Sequence, residues 1–188
     1  MKDYKRQIED YLKLEIEVLK KLNIEEIDRV LNVLETARNN GKQIYIFGNG
    51  GSASTASHFS CDFNKGVSEH LEKKYRFVCL NDNVPTLMAI ANDIGYDRIF
   101  DIQMHGKLEE GDLVIAISGS GNSSNVVNAV KYAKELGILV IGITGYTGGL
   151  VDELADYHLH VPILNMQIAE DIHMIFEHLM MWILTYGE

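Results

Sequence analysis

Ile44-Tyr45-Ile46-Phe47-Gly48-Asn49-Gly50-Gly51-Ser52 runs directly into Ala53-Ser54-Thr55-Ala56-Ser57-His58-Phe59-Ser60-Cys61-Asp62. Four apolar or aromatic residues that stop at a glycine are too few for a helix, and they read as a buried parallel strand. Gly48, Gly50 and Gly51 permit a sharp turn, and Ser52 is placed to cap the small-residue helix that follows. Such a turn presents unpaired backbone N–H groups and the positive end of a helix dipole, which suits a phosphate or another anion. The same string also serves as a plain joint between strand and helix, so the rest of the chain has to decide.

The pattern recurs twice. Leu113-Val114-Ile115-Ala116-Ile117 leads into Ser118-Gly119-Ser120-Gly121-Asn122-Ser123-Ser124 and then a helical pattern with Val126, Val127, Ala129, Val130 and Ala133. Ile138 to Ile143 leads into Thr144-Gly145-Tyr146-Thr147-Gly148-Gly149. These are strand-turn-helix units of an open parallel sheet, in which the C-terminal strand ends share one edge and ligands bind near the topological switch point. Ser118, Ser120 and Ser123 can set three hydroxyls around one phosphate without a cation. A serine that merely caps a helix or fills a turn is expected among them.

The 188 residues suffice for one domain with a full core and are few for two. A net charge of −10 argues against nucleic acid and against an anionic membrane face, and no basic run offsets it. It leaves a phosphorylated metabolite open, because local amide dipoles outweigh a distant negative surface. The 2 cysteines, Cys61 and Cys79, lie far apart, which fits a reducing compartment rather than a disulfide framework. The opening residues are charged throughout, unlike a signal peptide or a membrane span, so cytoplasmic residence is the expectation.

Residues 1–41 read as two helices. Tyr4, Ile8, Tyr11, Leu12, Leu19 and Leu22 recur at helical spacing, and Asn23 with Glu26 forms a capping-box pattern for a second helix carrying Ile27, Val30, Leu31, Leu34 and Ala37. Their apolar faces must pack on the sheet, on a neighbouring subunit, or on both. Asn64 to Lys74 reads as a polar loop long enough to act as a lid. Arg76 to Leu80 is a strand, and a helix with Leu87, Met88 and Ile90 ends near Asn92 and Asp93, which either cap it or touch a ligand. Tyr157 to Pro162 is a short fifth strand; His158 and His160 share a face there, as a polar edge or as a metal pair. A long apolar helix from about Met166 to Leu184 closes the chain, and with no linker or low-complexity segment, 1–188 reads as one domain.

Ionisable residues gather on two of these helices. His58 and Asp62 are four apart on the helix leaving the first turn and share a face. Glu170, Asp171, His173, Glu177 and His178 interrupt the last helix, which is otherwise nearly all apolar. Buried carboxylates and imidazoles need partners, a metal or a substrate. Two imidazoles and two carboxylates are ligand types that zinc accepts, and also types that move protons. Each histidine alone reads as a hydrogen-bonded core or interface residue; their joint occurrence carries the case.

Gly48-Asn49-Gly50-Gly51-Ser52 with His58, Ala91-Asn92-Asp93 before Gly95, Ser118-Gly119-Ser120-Gly121-Asn122-Ser123, and Glu170-Asp171-Ile172-His173 with His178 together resemble the sugar isomerase (SIS) family, most closely its phosphoheptose isomerases. The resemblance covers nearly the whole chain, with several motifs in the same order. It implies a three-layer αβα sandwich around a five-stranded parallel sheet of flavodoxin type, with an N-terminal helical pair. It also implies a zinc-dependent ketose–aldose isomerase of sedoheptulose 7-phosphate, serving surface polysaccharide heptose, and a homotetramer with sites at subunit interfaces. By the same resemblance Asn49, Gly50, Gly51, Ser52, Asp62, Asn92, Asp93, Ser118, Gly119, Ser120, Ser123 and Glu170 would contact the phosphosugar. His58, Asp62, Glu170 and His178 would hold zinc, and Asp62 and His178 would occupy the acid–base positions. The chain departs from the family's usual pattern at four places. Asp62 stands for a glutamate, Glu170 for a glutamine, Ser118-Gly119-Ser120 for Ser-Thr-Ser, and Lys65-Gly66 lies near where an arginine is common. The competing readings are a non-catalytic SIS protein that binds a phosphosugar or a protein partner, and an isomerase or epimerase of a different sugar phosphate.

Overall fold

The computed structural model describes residues 2–187. The apolar runs become five strands, β1 (Ile44–Gly48), β2 (Phe77–Cys79), β3 (Leu113–Ser118), β4 (Leu139–Thr144) and β5 (Tyr157–His160). They form one all-parallel sheet in the order β2-β1-β3-β4-β5. Both faces are covered, so the central strands β1, β3 and β4 are nearly continuously apolar, as a parallel sheet requires, while the edge strand β5 alternates with His158 and His160.

The period of two along each strand divides the core in two. Ile44, Ile46, Ile115, Ile117, Ile141 and Ile143 pack under α1 (Lys5–Leu19), α2 (Ile24–Asn39), α3 (Gly51–Cys61) and α8 (Met166–Tyr186). Tyr45, Phe47, Val114, Ala116 and Val140 pack under α4 (Val84–Asp93), α5 (Asp101–Met104), α6 (Ser124–Glu135) and α7 (Gly149–Leu154). The result is the expected three-layer sandwich.

Asparagines set three of the helix starts by accepting a backbone N–H. Asn23 accepts from Glu26 at 3.2 Å, Asn83 from Thr86 at 3.1 Å, and Asn165 from Ile168 at 3.2 Å. Of the N-terminal pair, α2 buries Ile27, Val30, Leu34 and Ala37 against the sheet. Helix α1 buries only Val18 fully and is tied to α8 by a hydrogen bond from the Tyr11 hydroxyl to Asp171.

Two expectations change. The segment from Asn64 is not a free loop: a π-helical turn spans Asp62–Gly66 and a 3₁₀ turn Val67–His70. The Asn64 side chain donates to the Phe77 carbonyl and accepts from the Phe77 N–H, while Ser68 Oγ accepts from Tyr75 N–H, so the segment is bound to β2. Second, Ser52 does not cap α3. Gly50, at φ 54°, turns the chain early enough that the helix starts at Gly51, with no side-chain cap. Ser52 is thereby inside the first turn, with its hydroxyl free for other use.

The chain passes from β1 outward to β2 and then back to β3 on the other side of β1. The order therefore reverses between β1 and β3, and the crevice beyond their C-terminal ends is the natural ligand position of such a sheet.

Candidate active site

The turns after β1 and β3 meet in that crevice. The Asn49 and Asn125 side chains form a reciprocal amide pair, at 2.8 and 2.9 Å, that clamps one turn to the other, and the Tyr96 hydroxyl donates to Asn49 Oδ1 at 2.9 Å. From below, the Asn81 side chain accepts from Gly48 N–H and donates to the Gly48 carbonyl. These bonds use up Asn49's amide oxygen, so in this arrangement Asn49 positions the turn.

Between the turns lies a cavity of about 130 Å³. Ser52, Ser118, Gly119, Ser120, Ser123 and Glu170 line it, together with Asn49, Ile117 and Met166. Ser118 Oγ accepts from Gly121 N–H at 3.1 Å and lies 3.5 Å from Ser123 Oγ, so the loop is wound by its own hydroxyls. Ser123 is the N-terminal flanking residue of α6 without a side-chain cap bond, which leaves its hydroxyl to the cavity beside the positive helix end. No lysine or arginine is among the lining residues. The third turn supports the second from outside: Gly145 N–H donates to the Gly119 carbonyl and Val151 N–H to the Gly121 carbonyl.

Glu170, on the first part of α8, lies over the start of α3. A Cβ built at Gly51 would stand 2.5 Å from Glu170 Oε2, so the carboxylate occupies the space that a side chain there would fill. Gly51 thus has a steric reason of its own to be glycine. Gly50 lies in a separate small cavity on the far side of Asn49, beside Met88 and Tyr96. Asn92 and Asp93 are exposed at the end of α4, hydrogen-bonded to each other at 2.8 Å, and line neither cavity.

Further along the same two helices, His58, Asp62, Glu177 and His178 offer ligand atoms that all lie within 4.8 Å of one another. His58 Nε2 is 3.4 Å from Asp62 Oδ2, and the two imidazole rings meet edge to face at 5.1 Å. Donors around tetrahedral zinc are about 3.3 Å apart, so small side-chain rotations close the group. Three of the expected metal residues are therefore together. Glu170 is outside the group, in the serine-lined cavity, and the nearby carboxylate is Glu177. Burial, and secondarily the carboxylate of Asp62, push the Glu177 carboxyl up to about 8. Its two oxygens are shielded from solvent and have no hydrogen-bond donor. His58 and His178 are about half exposed, at 44% and 56% of their side-chain surface, so the group is open on the imidazole side. The donor set and the unpartnered buried carboxylate fit a divalent metal.

Sequence reasoning placed Glu177 on the helix without giving it a site. The available signal was its stripe: it falls between His173, Phe176 and Met180, all buried, whereas Asp171 points away to Tyr11. His158 and His160 do not form a metal pair. His158 Nδ1 lies 3.2 Å from Asp152 Oδ1 and His160 Nδ1 3.0 Å from Thr144 Oγ1, which secures β5 to β4 and α7. Among the described residues, no helix is long and apolar enough to cross a membrane.

Comparison with known proteins agrees with this fold. The SIS domain family model matches residues 3–145. The phosphoheptose isomerase of Aliarcobacter butzleri is 40% identical over 154 residues, covering 82% of this chain and 81% of the relative. A probable phosphoheptose isomerase of Thermoplasma acidophilum is 35% identical over 158 residues, 84% of this chain and 86% of its own. Among solved structures, phosphoheptose isomerase GmhA from Neisseria gonorrhoeae superposes with a TM-score of 0.88 at 28% identity, over 97% of this chain and 98% of that one. The chain therefore belongs to the SIS domain family and, within it, to the phosphoheptose isomerases.

Proposed function

We propose that the chain is a zinc-dependent isomerase interconverting sedoheptulose 7-phosphate and D-glycero-D-manno-heptose 7-phosphate, working as a cytoplasmic homotetramer in the supply of heptose for surface polysaccharide. The observation that carries the reading is a spacing. The serine-lined cavity takes Ser52 from α3 and Glu170 from α8, and the His–carboxylate group takes His58 from the same α3, Asp62 from the turn that continues it, and Glu177 and His178 from the same α8. Ser52 precedes His58 by six residues and Glu170 precedes His178 by eight. At 1.5 Å per residue these steps are about 9 and 12 Å. An open seven-carbon chain advances about 1.2 Å per bond, so its phosphorus lies roughly 9–10 Å from C1. With the phosphate among Ser118, Ser120 and Ser123, beyond Ser52 and Glu170, the substrate has to extend past both residues toward Asp62 and His178, which suits a seven-carbon chain and leaves a three-carbon sugar phosphate short.

On this reading the hydroxyls and the α6 N-terminus bind the phosphate, and Glu170 and Ser52 take sugar hydroxyls between the two ends. Asp62 and His178 share the proton transfers: in the aldose-to-ketose direction one accepts the C2 proton and the other delivers a proton to C1. A metal in this group supplies Lewis-acid stabilisation of the negative charge that develops on the oxygens of C1 and C2. His58 keeps the group together through its contacts with Asp62 and His178.

The test is conversion of sedoheptulose 7-phosphate followed by NMR in deuterated water, with and without zinc. An aldose product carrying deuterium at C2 is expected, and Asp62→Ala or His178→Ala should each lower turnover by about 10²–10⁴-fold. Protein that binds zinc and the phosphosugar yet gives neither product nor exchange acts on another sugar phosphate. Loss of zinc binding as well would establish a non-catalytic binding protein.

A further inference from the structure

The isomerase reading needs a metal, and it leaves open which carboxylate accompanies Asp62. Two candidates stand on α8. Glu170 is eight residues from His178, about 12 Å along the helix, and its carboxylate is packed over Gly51 at the opposite end of α3 from Asp62. Glu177 adjoins His178, and its carboxylate lies within 4.8 Å of the donor atoms of His58, Asp62 and His178. His178 Nε2 is 3.3 Å from Glu177 Oε2, at ion-pair distance but without hydrogen-bond geometry. Glu177 has no exposed surface, and neither oxygen meets a donor. Its neighbours on the stripe, Phe176 and Met180, are apolar and buried, so beyond the His178 imidazole no side chain of that stripe offsets the carboxylate. A buried carboxylate is retained where it is paired or coordinates a metal, and here the ionisable side chains gathered about it, His58, Asp62 and His178, are all metal-ligand types.

We propose that Glu177, rather than Glu170, completes the metal-binding group with His58, Asp62 and His178, which leaves Glu170 to the sugar. On this assignment the buried Glu177 carboxylate, the Asp62 carboxylate and the half-exposed imidazoles of His58 and His178 would hold the ion. The inference rests on the zinc part of the isomerase reading, and binding measurements separate the two.

The full-length protein is stripped with a chelator and titrated with Zn²⁺ against a chromophoric competitor, and with Co²⁺ to read the visible d–d bands. Wild type is expected to bind one ion per chain. Glu177→Leu fills the same space without a donor. It should weaken Zn²⁺ by more than about 100-fold, beyond the 10–100-fold cost of losing an outer partner to a ligand. It should also alter the Co²⁺ bands while the metal-free variant melts at or above metal-free wild type. Glu177→Gln, which keeps the shape, should weaken the ion in the same direction, and Glu170→Ala, which removes any donor at that position, should leave affinity and spectrum unchanged. A Glu177→Leu protein that keeps its affinity to within that 100-fold, or a Glu170→Ala protein that loses the ion, overturns the proposal and leaves the zinc reading standing. Wild type that takes up no ion overturns both.

Discussion

Gly51 shows how much a single missing side chain can decide. It is not among the glycines with positive φ, so its backbone would accept alanine, and alanine favours a helix over glycine by up to about 1 kcal/mol. What alanine cannot do is share space with Glu170, whose carboxylate oxygens and carbon all lie within 2.7 Å of the Cβ position. The far end of a flexible side chain moves cheaply, so the cost falls on function. Gly51→Ala should melt within about 2 °C of wild type or slightly above it. Its turnover should drop by about 100-fold, as a displacement near 1 Å costs at a reacting centre. Calorimetry beside steady-state kinetics checks this, and wild-type turnover would mean that Glu170 has no task where it stands. Nothing in the composition of Gly50-Gly51 separates the two glycines. One is required by its φ and the other by an atom of residue 170, and the second requirement is invisible until α8 is folded against α3.

At the scale of elements, α8 carries both the legible and the illegible parts of the site. Its length and its apolar stripe were readable from Met166 onward, and so was the need of its ionisable residues for partners. Which partner each would meet was not, because neighbours on the helix diverge in direction. Asp171 reaches out to Tyr11, Glu170 to the crevice, Glu177 to His58 and Asp62, and His173 into the sheet. The central strands β1, β3 and β4 were legible for the opposite reason: an apolar run that gives way to a glycine-bearing turn means the same thing in any neighbourhood. The π-helical turn at Asp62–Gly66 had no local signal, since Asp62-Phe63-Asn64-Lys65-Gly66 is polar and reads as loop until Asn64 pairs with β2. His173 gives a measurable consequence. It is fully buried, donates from Nε2 to the Thr144 carbonyl of β4 at 3.1 Å, and has no partner at Nδ1. Burial lowers its pKa from 6.5 to about 4. A histidine whose folded pKa is depressed contributes stability that is present above 6.5 and is lost as pH falls toward 4. His173→Gln keeps the bond to Thr144 and has no proton to gain. The stability difference between wild type and variant should therefore shrink by a few kcal/mol between pH 7 and pH 4. Glu177 acts in the opposite sense in the metal-free protein, destabilising it as pH rises toward 8, so the comparison with the variant, rather than the wild-type curve alone, isolates His173. A difference that is flat across that window would sink the assignment; urea melts at stepped pH measure it.

At the scale of the whole molecule, the chain covers its sheet completely and yet leaves apolar surface on its outside. Tyr4, Ile8, Leu12 and Ile16 follow one another every fourth residue along α1, each more than half exposed, while Val18 on another side of the same helix is buried. Trp182 and Tyr186 are exposed at the end of α8, at 62% and 71%. A helix with one stripe on its own domain and a second open stripe has the pattern of an element shared between copies, since monomers seldom leave large contiguous apolar patches bare. This is the surface on which the proposed homotetramer would close. The net charge of −10 per chain opposes assembly, so the contact must rest on apolar burial, and added salt should strengthen it by screening the repulsion. Ile8→Glu with Leu12→Glu places two carboxylates in the stripe without touching Val18 or the sheet. The wild type should scatter light as a tetramer at micromolar concentration. The double variant should scatter as a smaller species whose far-UV circular dichroism is unchanged, because the core of α2, α3 and α8 on the sheet does not involve the stripe. A monomeric wild type, or a double variant that still assembles, would place the interface elsewhere or remove it. If assembly is lost and turnover falls with it, the crevice draws on a second copy; if turnover survives, the site built by α3, α6 and α8 of one chain is complete by itself.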